Sequence, residues 1–219
     1  MPCYWVDDVR SNAFDLPIGA TSGEALSIYV EGSTVYSGGF TYKTTIGTAK
    51  PCYWEGTTLK DLPLPTDAVY GVVSAIYVSG NTVYTAGYIY KGTKLPCYWV
   101  NQSGPTTLHT NLGKATGIQV VNGKTYIAGW YAVYPCFWTL TNDNKGLPVG
   151  LPGPAGSNGG KTTSIYVSGS TIYLAGWYQM DSGNQEFPCY WNGNTGVWTK
   201  LPTVPAVTSE AKANAIFVK

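Results

Sequence analysis

The sequence predicts an all-β protein, a five-bladed β-propeller built from repeats of about 45 residues. Three observations predict it. The tetrapeptide Pro-Cys-aromatic-Trp occurs five times, at Pro2–Trp5, Pro51–Trp54, Pro96–Trp99, Pro135–Trp138 and Pro188–Trp191. A second motif, Ser27 to Phe40 in its first copy, recurs with its anchors Ile28, Ile76, Ile118, Ile165 and Ile216 spaced by 48, 42, 47 and 51 residues, the period of propeller blades. Charged residues are only 11% of the chain, aromatics are 14%, and 27 Gly and 14 Pro supply turns. That is the profile of short strands and tight turns.

Each repeat reads as four strands. Strand A is Ile-Tyr-Val, short and β-branched. A Gly-Ser, Gly-Asn or Asn-Gly pair follows, the chemistry of a two-residue hairpin turn. Strand B is Thr-Val-Tyr-x-Ala-Gly-aromatic, and strand C, after a loop of variable length, is Pro-Cys-aromatic-Trp. Proline leads strand C, where a missing N–H costs least. Strand D is short and runs to a recurring Leu-Pro, at Leu16-Pro17, Leu62-Pro63, Leu147-Pro148 and Leu201-Pro202; the third repeat has Leu108-His109 instead. No helix is expected, and Ser209 to Asn214 is too short to hold one. The Gly/Pro-rich stretch from Gly146 to Gly160 reads as an enlarged loop.

Alternation along strand C sends Cys and Trp to one face and the intervening aromatic to the other. Sheets apolar on both faces must be sandwiched between neighbours, as blades are. The Ala-Gly pairs Ala86-Gly87, Ala128-Gly129 and Ala175-Gly176 are expected to receive the tryptophan of strand C or of the next blade.

The repeats occupy residues 1–17 with 211–219, then 23–65, 71–110, 113–148 and 160–202, within one domain over 1–219. The chain opens on strands C and D, continues through four complete units and ends on a lone strand A from Ala215. That makes nineteen strands where five full blades need twenty. The expectation is a ring closed by the N-terminal strands C and D with the C-terminal strand A, the closing blade lacking strand B. A truncated or rearranged propeller, natural or engineered, would read this way, as a monomer or as an oligomer in which a second chain completes the blade.

Net charge is +1, with charges scattered singly, so no basic stripe exists for nucleic acid. No apolar run reaches the length of a membrane helix. No signal peptide precedes the first motif, which leaves a cytosolic protein or a domain of a longer secreted chain. The five cysteines fall at one position of the repeat and should not meet in pairs. All five are expected to be buried free thiols acting as small hydrophobes. Without a Cys-x-x-Cys or Cys/His cluster, no metal and no cofactor is expected.

The two halves of the repeat, Ile-Tyr-Val-x-Gly-x-Thr-Val-Tyr-x-Ala-Gly-Tyr and Pro-Cys-Tyr-Trp, resemble tandem blade repeats of poorly characterised bacterial proteins, over nearly the whole chain. The resemblance implies a β-propeller and brings no activity with it. In architecture alone, five blades are similar to tachylectin-type lectins and the five-bladed glycosidases, whose residue motifs are not present here.

Candidate binding residues lie in two sets of loops. The loops from B to C carry Tyr42, Tyr90, Trp130, Tyr131, Trp177 and Tyr178, aromatics able to stack on a sugar ring. The loops from D to A carry one recurrent position just before strand A, occupied by Glu24, Val72, Lys114, Lys161 and Lys212, with Glu24, Lys114 and Lys161 as candidates to grip a hydroxyl or carboxylate. No paired carboxylates and no nucleophile beside the single histidine, His109, mark a catalytic set, so a non-catalytic chain is expected. The expected function is a ligand-binding, lectin-like module for a glycan or small polar ligand. The alternative is a scaffold or protein-interaction domain, a reading favoured by the unequal B-to-C loops.

Overall fold

The computed structural model describes residues 2–7, 9–10, 14–44, 46–141, 144–180, 185–203 and 211–218. Among them are nineteen strands and one short 3-10 turn at Ile46–Thr48. The strands form five antiparallel sheets, one per repeat, and the fold class is that of a five-bladed β-propeller.

Sheet I has two strands, β1 (Trp5–Val6) and β2 (Val9–Arg10). Sheet II is β3 (Ser22–Glu31), β4 (Thr34–Tyr42), β5 (Lys50–Glu55) and β6 (Thr58–Asp61), in that order. Sheet III runs β7 (Tyr70–Ser79), β8 (Thr82–Tyr90), β9 (Lys94–Val100) and β10 (Thr106–Thr107). Sheet IV holds β11 (Gly113–Val121), β12 (Lys124–Tyr131), β13 (Tyr134–Thr141), β14 (Asn144–Lys145) and β15 (Val149–Gly150). Sheet V holds β16 (Ser157–Ser168), β17 (Thr171–Met180), β18 (Glu186–Asn192) and β19 (Trp198–Lys200). The A-B-C-D order is the one the repeat predicts. Contacts divide the chain into two compact units, Met1–Ala115 and Thr116–Lys219.

The A–B turns use the expected residues. Gly32, Gly80 and Gly169 have φ of 60°, 58° and 59° with an ordinary residue after them, whereas Asn122 and Gly123 are both positive at 51° and 72°. The first pattern is a type II′ turn and the second a type I′ turn, the two that match strand twist.

Strand A is longer than Ile-Tyr-Val and carries a β-bulge. The register slips between Ala25 and Ser27, between Val73 and Ala75, and between Thr162 and Ser164. The bulge explains the glycine of strand B. A Cβ on Gly39, Gly87 or Gly176 would lie 1.9, 1.9 or 2.1 Å from the carbonyl oxygen of Glu24, Val72 or Lys161. The glycine therefore admits the bulged backbone of strand A, not a tryptophan as the sequence suggested.

The tetrapeptide packs as predicted. In the first unit Cys97 and Trp99 of sheet III bury against Tyr53 of sheet II, and Cys52 and Trp54 cluster with Phe14 and Tyr4. In the second, Cys189 and Trp191 join Phe137 of sheet IV. The five thiols are free; Cys52, Cys97, Cys136 and Cys189 are buried as expected, but Cys3 is only half-buried, because its two-strand sheet covers it less among the described residues.

The tryptophans also anchor one sheet to the next. Trp54 Nε1 donates to the carbonyl of Asp15 at 2.9 Å, Trp99 to Pro63 at 3.1 Å and Trp191 to Pro152 at 2.7 Å. Each acceptor follows a residue whose N–H bonds back to the proline of its own strand C: Phe14 to Pro2, Leu62 to Pro51 and Leu151 to Pro135. Leu108 and Leu201 make the same bond to Pro96 and Pro188. The recurring element at the end of strand D is therefore this buried apolar residue. Phe14 and Leu151 fill the place assigned to Leu16 and Leu147, and Leu147 is exposed.

Two further expectations change. Residues 146–160 are not one loop, because β15 is the true strand D, pairing with Cys136 and Phe137, and β16 begins at Ser157. Residues 211–218 form no strand. They lie against sheet V, through Ala213 N to the Gly176 carbonyl at 3.3 Å and Phe217 on the Tyr166 ring.

Candidate functional site

Most of the nine candidate residues stand at one end of their sheets, where strand A begins, strand B ends and strand C begins. Antiparallel pairing puts them there: Ser22 faces Tyr42, Tyr70 faces Tyr90, and Lys161 faces Trp177.

In the first unit Tyr42 and Tyr70 pack on a buried group of Phe40, Ala49, Val72 and Tyr88. Tyr70 stacks on Tyr90 with ring centroids 4.9 Å apart and meets Tyr88 edge-on at 6.1 Å. Burial pushes the Tyr88 hydroxyl up to about 12 and raises that of Tyr70 too, so both stay protonated at neutral pH. Lys94 and Lys114 hold their amines 5.0 and 5.8 Å from the Tyr88 ring centroid. Glu24 pairs across the ladder with Phe40 and is exposed.

In the second unit the Lys161 amine lies 4.4 Å from the Trp130 ring and 5.5 Å from Trp177. The Lys212 amine is also 5.5 Å from Trp177 and makes an ion pair with Glu186 at 2.7 Å. A pattern links these contacts. The lysine at this position of one repeat, within strand A for Lys114 and Lys161, sits on the aromatic near the end of strand B of the repeat before: Lys114 on Tyr88, Lys161 on Trp130, Lys212 on Trp177. Each is a cation–π contact. Tyr131 tilts against Tyr134 at 6.1 Å.

Tyr178 is 4% exposed, stacked on Phe187 at 5.5 Å and met edge-on by Trp198 at 5.1 Å. The sequence placed it past strand B, in an exposed loop. Strand A of sheet V starts four residues before Lys161, so Tyr178 stays inside the ladder opposite Gly160.

One cavity opens among the described rim residues of the first unit, with a volume of about 120 Å³. The Tyr42 ring, Pro17 and Ile18 supply its apolar walls; Lys43, Thr48 and Lys50 supply polar groups. The loop is closed by the Thr21 hydroxyl donating to the Lys43 carbonyl and by Lys43 N–H donating to Thr48 Oγ1 at 3.3 Å. Of the sequence candidates only Tyr42 lines this cavity. Sequence reasoning misses Lys43, which directly follows the aromatic, and Lys50, at the far end of the long Thr41–Lys50 loop. The described residues contain no cluster of three or more His, Cys, Asp or Glu that could hold a metal ion, and no helix among them is long and apolar enough to cross a membrane.

No protein-family model and no curated protein matches the chain. Solved structures do. GH43B of the Bacteroides ovatus xyloglucan PUL aligns at a TM-score of 0.52 and 17% identity, over 89% of this chain and 44% of its own. An exo-1,5-α-L-arabinanase from a bovine ruminal metagenomic library aligns at 0.46 and 8% identity, over 86% of this chain and 83% of its own. A post-proline cleaving enzyme from Rickettsia typhi also aligns at 0.46, with 12% identity, over 93% of this chain and 31% of its own. The chain thus spans less than half the length of GH43B. At 17% identity the likeness shows a shared propeller fold, one found in carbohydrate-active proteins. The likeness to GH43B overturns the expectation of a non-catalytic chain: the fold taken for a bare binding scaffold is shared with a GH43 protein and so does not exclude catalysis.

Proposed function

We propose that the chain is a carbohydrate-binding propeller whose glycan sits at the Tyr42 cavity. The observation that carries this reading is the cavity itself. The half-buried Tyr42 lines it, together with the exposed Lys43, Thr48 and Lys50. An aromatic face for the C–H surface of a pyranose or furanose, beside donors for its hydroxyls, is the chemistry a sugar site needs. The fold shared with GH43B of a xyloglucan PUL supports a glycan over other polar ligands and makes xyloglucan fragments the first to test, with arabinan fragments as the comparison.

Titration calorimetry with xyloglucan and arabinan oligosaccharides tests the reading, the same mixtures being assayed for newly released reducing ends. Saturable binding that weakens about tenfold in Tyr42→Ala, the loss of one stacked ring, is the expected result. No heat with either glycan at millimolar concentration, or a Tyr42→Ala titration identical to the parent, overturns it. None of Glu24, Tyr90, Lys114, Trp130, Tyr131, Trp177, Tyr178 and Lys161 is among the residues that line this cavity. Cations occupy the Trp130 and Trp177 faces, which favours for those positions the second reading, a framework for protein interaction.

A further inference from the structure

The rim of sheet III repeats the rim of sheet II at an offset of 48 residues: Pro17, Gly19, Ser22, Tyr42 and Lys43 correspond to Pro65, Asp67, Tyr70, Tyr90 and Lys91. The backbone is built alike in both. Ala20 N–H donates to the Pro17 carbonyl at 2.9 Å, and Ala68 N–H to that of Pro65 at 3.0 Å. Thr21 and Val69 then donate to the carbonyls of Tyr42 and Tyr90 at 3.0 and 2.9 Å.

Three differences matter at the Tyr42 cavity. In sheet III the Tyr70 ring stacks on Tyr90, with planes 13° apart; in sheet II Ser22 stands opposite Tyr42 and supplies no ring. In sheet III the Asp67 carboxylate pairs with the Lys91 amine at 2.8 Å. Gly19 takes the place of that aspartate in sheet II, and a Cβ built on it would lie 3.5 Å from the Lys43 amine. The lysine thus holds its position beside the turn while its counter-ion is missing. Among the described residues no carboxylate pairs with Lys43 or Lys50. Lys50, opposite Thr41, replaces Leu95, opposite Ile89, and so adds a second cation. No Asp or Glu lines the cavity.

We infer that the cavity selects an acidic glycan, whose uronic acid carboxylate takes beside Lys43 the place that Asp67 holds beside Lys91. The inference rests on the reading of this cavity as a sugar site. The sugar ring lies on the Tyr42 face that Ser22 leaves without a partner ring, and Lys50 adds attraction at the mouth. A hydrogen bond from an ammonium to a carboxylate is stronger than one between neutral groups. Two cations in a cavity without an acid therefore favour an anion over a neutral sugar of the same shape.

The test is calorimetric titration of the full chain with trigalacturonic acid and with its fully methyl-esterified form, which keeps the rings and loses the charge. At low salt the acid should bind about five- to tenfold more tightly than the ester, and molar salt should remove most of the difference. Lys43→Met should bring the acid to the affinity of the ester and leave the ester unchanged. Lys91→Met, which removes the lysine already paired with Asp67, should change neither. Equal affinity for acid and ester, or acid binding indifferent to Lys43→Met, overturns the inference and leaves a neutral sugar site standing. Absence of acid binding also overturns it, and the titrations with neutral glycans then show whether the sugar site falls too.

Discussion

The indole Nε1 of Trp99 donates to the carbonyl oxygen of Pro63 at 3.1 Å, tying strand C of sheet III to the segment leaving strand D of sheet II. Trp54 and Trp191 make the same bond to Asp15 and Pro152. Tryptophan is needed at this place for two reasons at once. It fills the space between sheets, and it satisfies a carbonyl at the point where one repeat passes to the next. Trp99→Phe keeps most of the apolar surface and loses the donor. The expected cost is about 2–3 kcal/mol, from one lost hydrogen bond and a small cavity. A denaturant titration reads it; a change below about 0.5 kcal/mol, the scale of surface substitutions, would show that the bond contributes nothing.

Two glycines separate steric demand from backbone conformation. A Cβ on Gly39 would meet the Glu24 carbonyl oxygen at 1.9 Å, whereas one on Gly32 meets nothing within 4 Å. Gly32 has φ of 60°, so alanine there costs about 1 kcal/mol of left-handed strain. Gly39→Ala must instead push two backbones apart and is expected to cost more than about 4 kcal/mol or prevent folding. Circular dichroism melts of the two variants distinguish the causes, and equal melting temperatures would refute the steric account.

Sequence alone carries the framework here because the framework repeats. Five copies of Pro-Cys-aromatic-Trp show the period, the strand and, by alternation, that Cys and Trp share a face. What the sequence does not reveal involves backbone atoms or broken alternation. The bulge at Leu26, Ser74 and Thr163 adds a residue that no periodicity marks, and the need for Gly39 and Gly87 follows from it. The end of strand D is defined by an N–H reaching the strand-C proline carbonyl. Any apolar side chain can accompany that bond, so Phe14 is masked by the nearby Leu16-Pro17, and Leu151-Pro152 by the Leu147-Pro148 pair just before it. At the rim, lysine and aromatic positions are each visible in the repeat, but their pairing is not. It joins successive repeats, with Lys161 on Trp130 and Lys212 on Trp177.

That pairing can be measured. Lys161 lies over the faces of Trp130 and Trp177 and is half-buried. Lys161→Met keeps much of the aliphatic stem and removes the charge. A stability loss of about 0.5–1 kcal/mol is expected for a partly exposed cation–π contact, together with a change in tryptophan emission. Lys161→Arg should retain the stability, since guanidinium also stacks on indole. Equal stability of all three proteins would show that the lysine is a solvated charge.

The buried thiols make stability depend on alkaline pH. Burial pushes the Cys189 thiol from its ordinary value near 9 up to about 12, and burial raises Cys52, Cys97 and Cys136 as well. The folded chain keeps these protons while an unfolded chain releases them near pH 9. Between those values the native state binds more protons, so unfolding becomes easier as pH rises. Stability should be level below about pH 8 and fall progressively from pH 9 upward. The native protein should also react with an aromatic disulfide reagent at pH 8 through half-buried Cys3 alone, and through all five thiols once unfolded. Fast labelling of more than one thiol in the native state, or a midpoint that does not move between pH 8 and pH 11, would show that the interior is open to water.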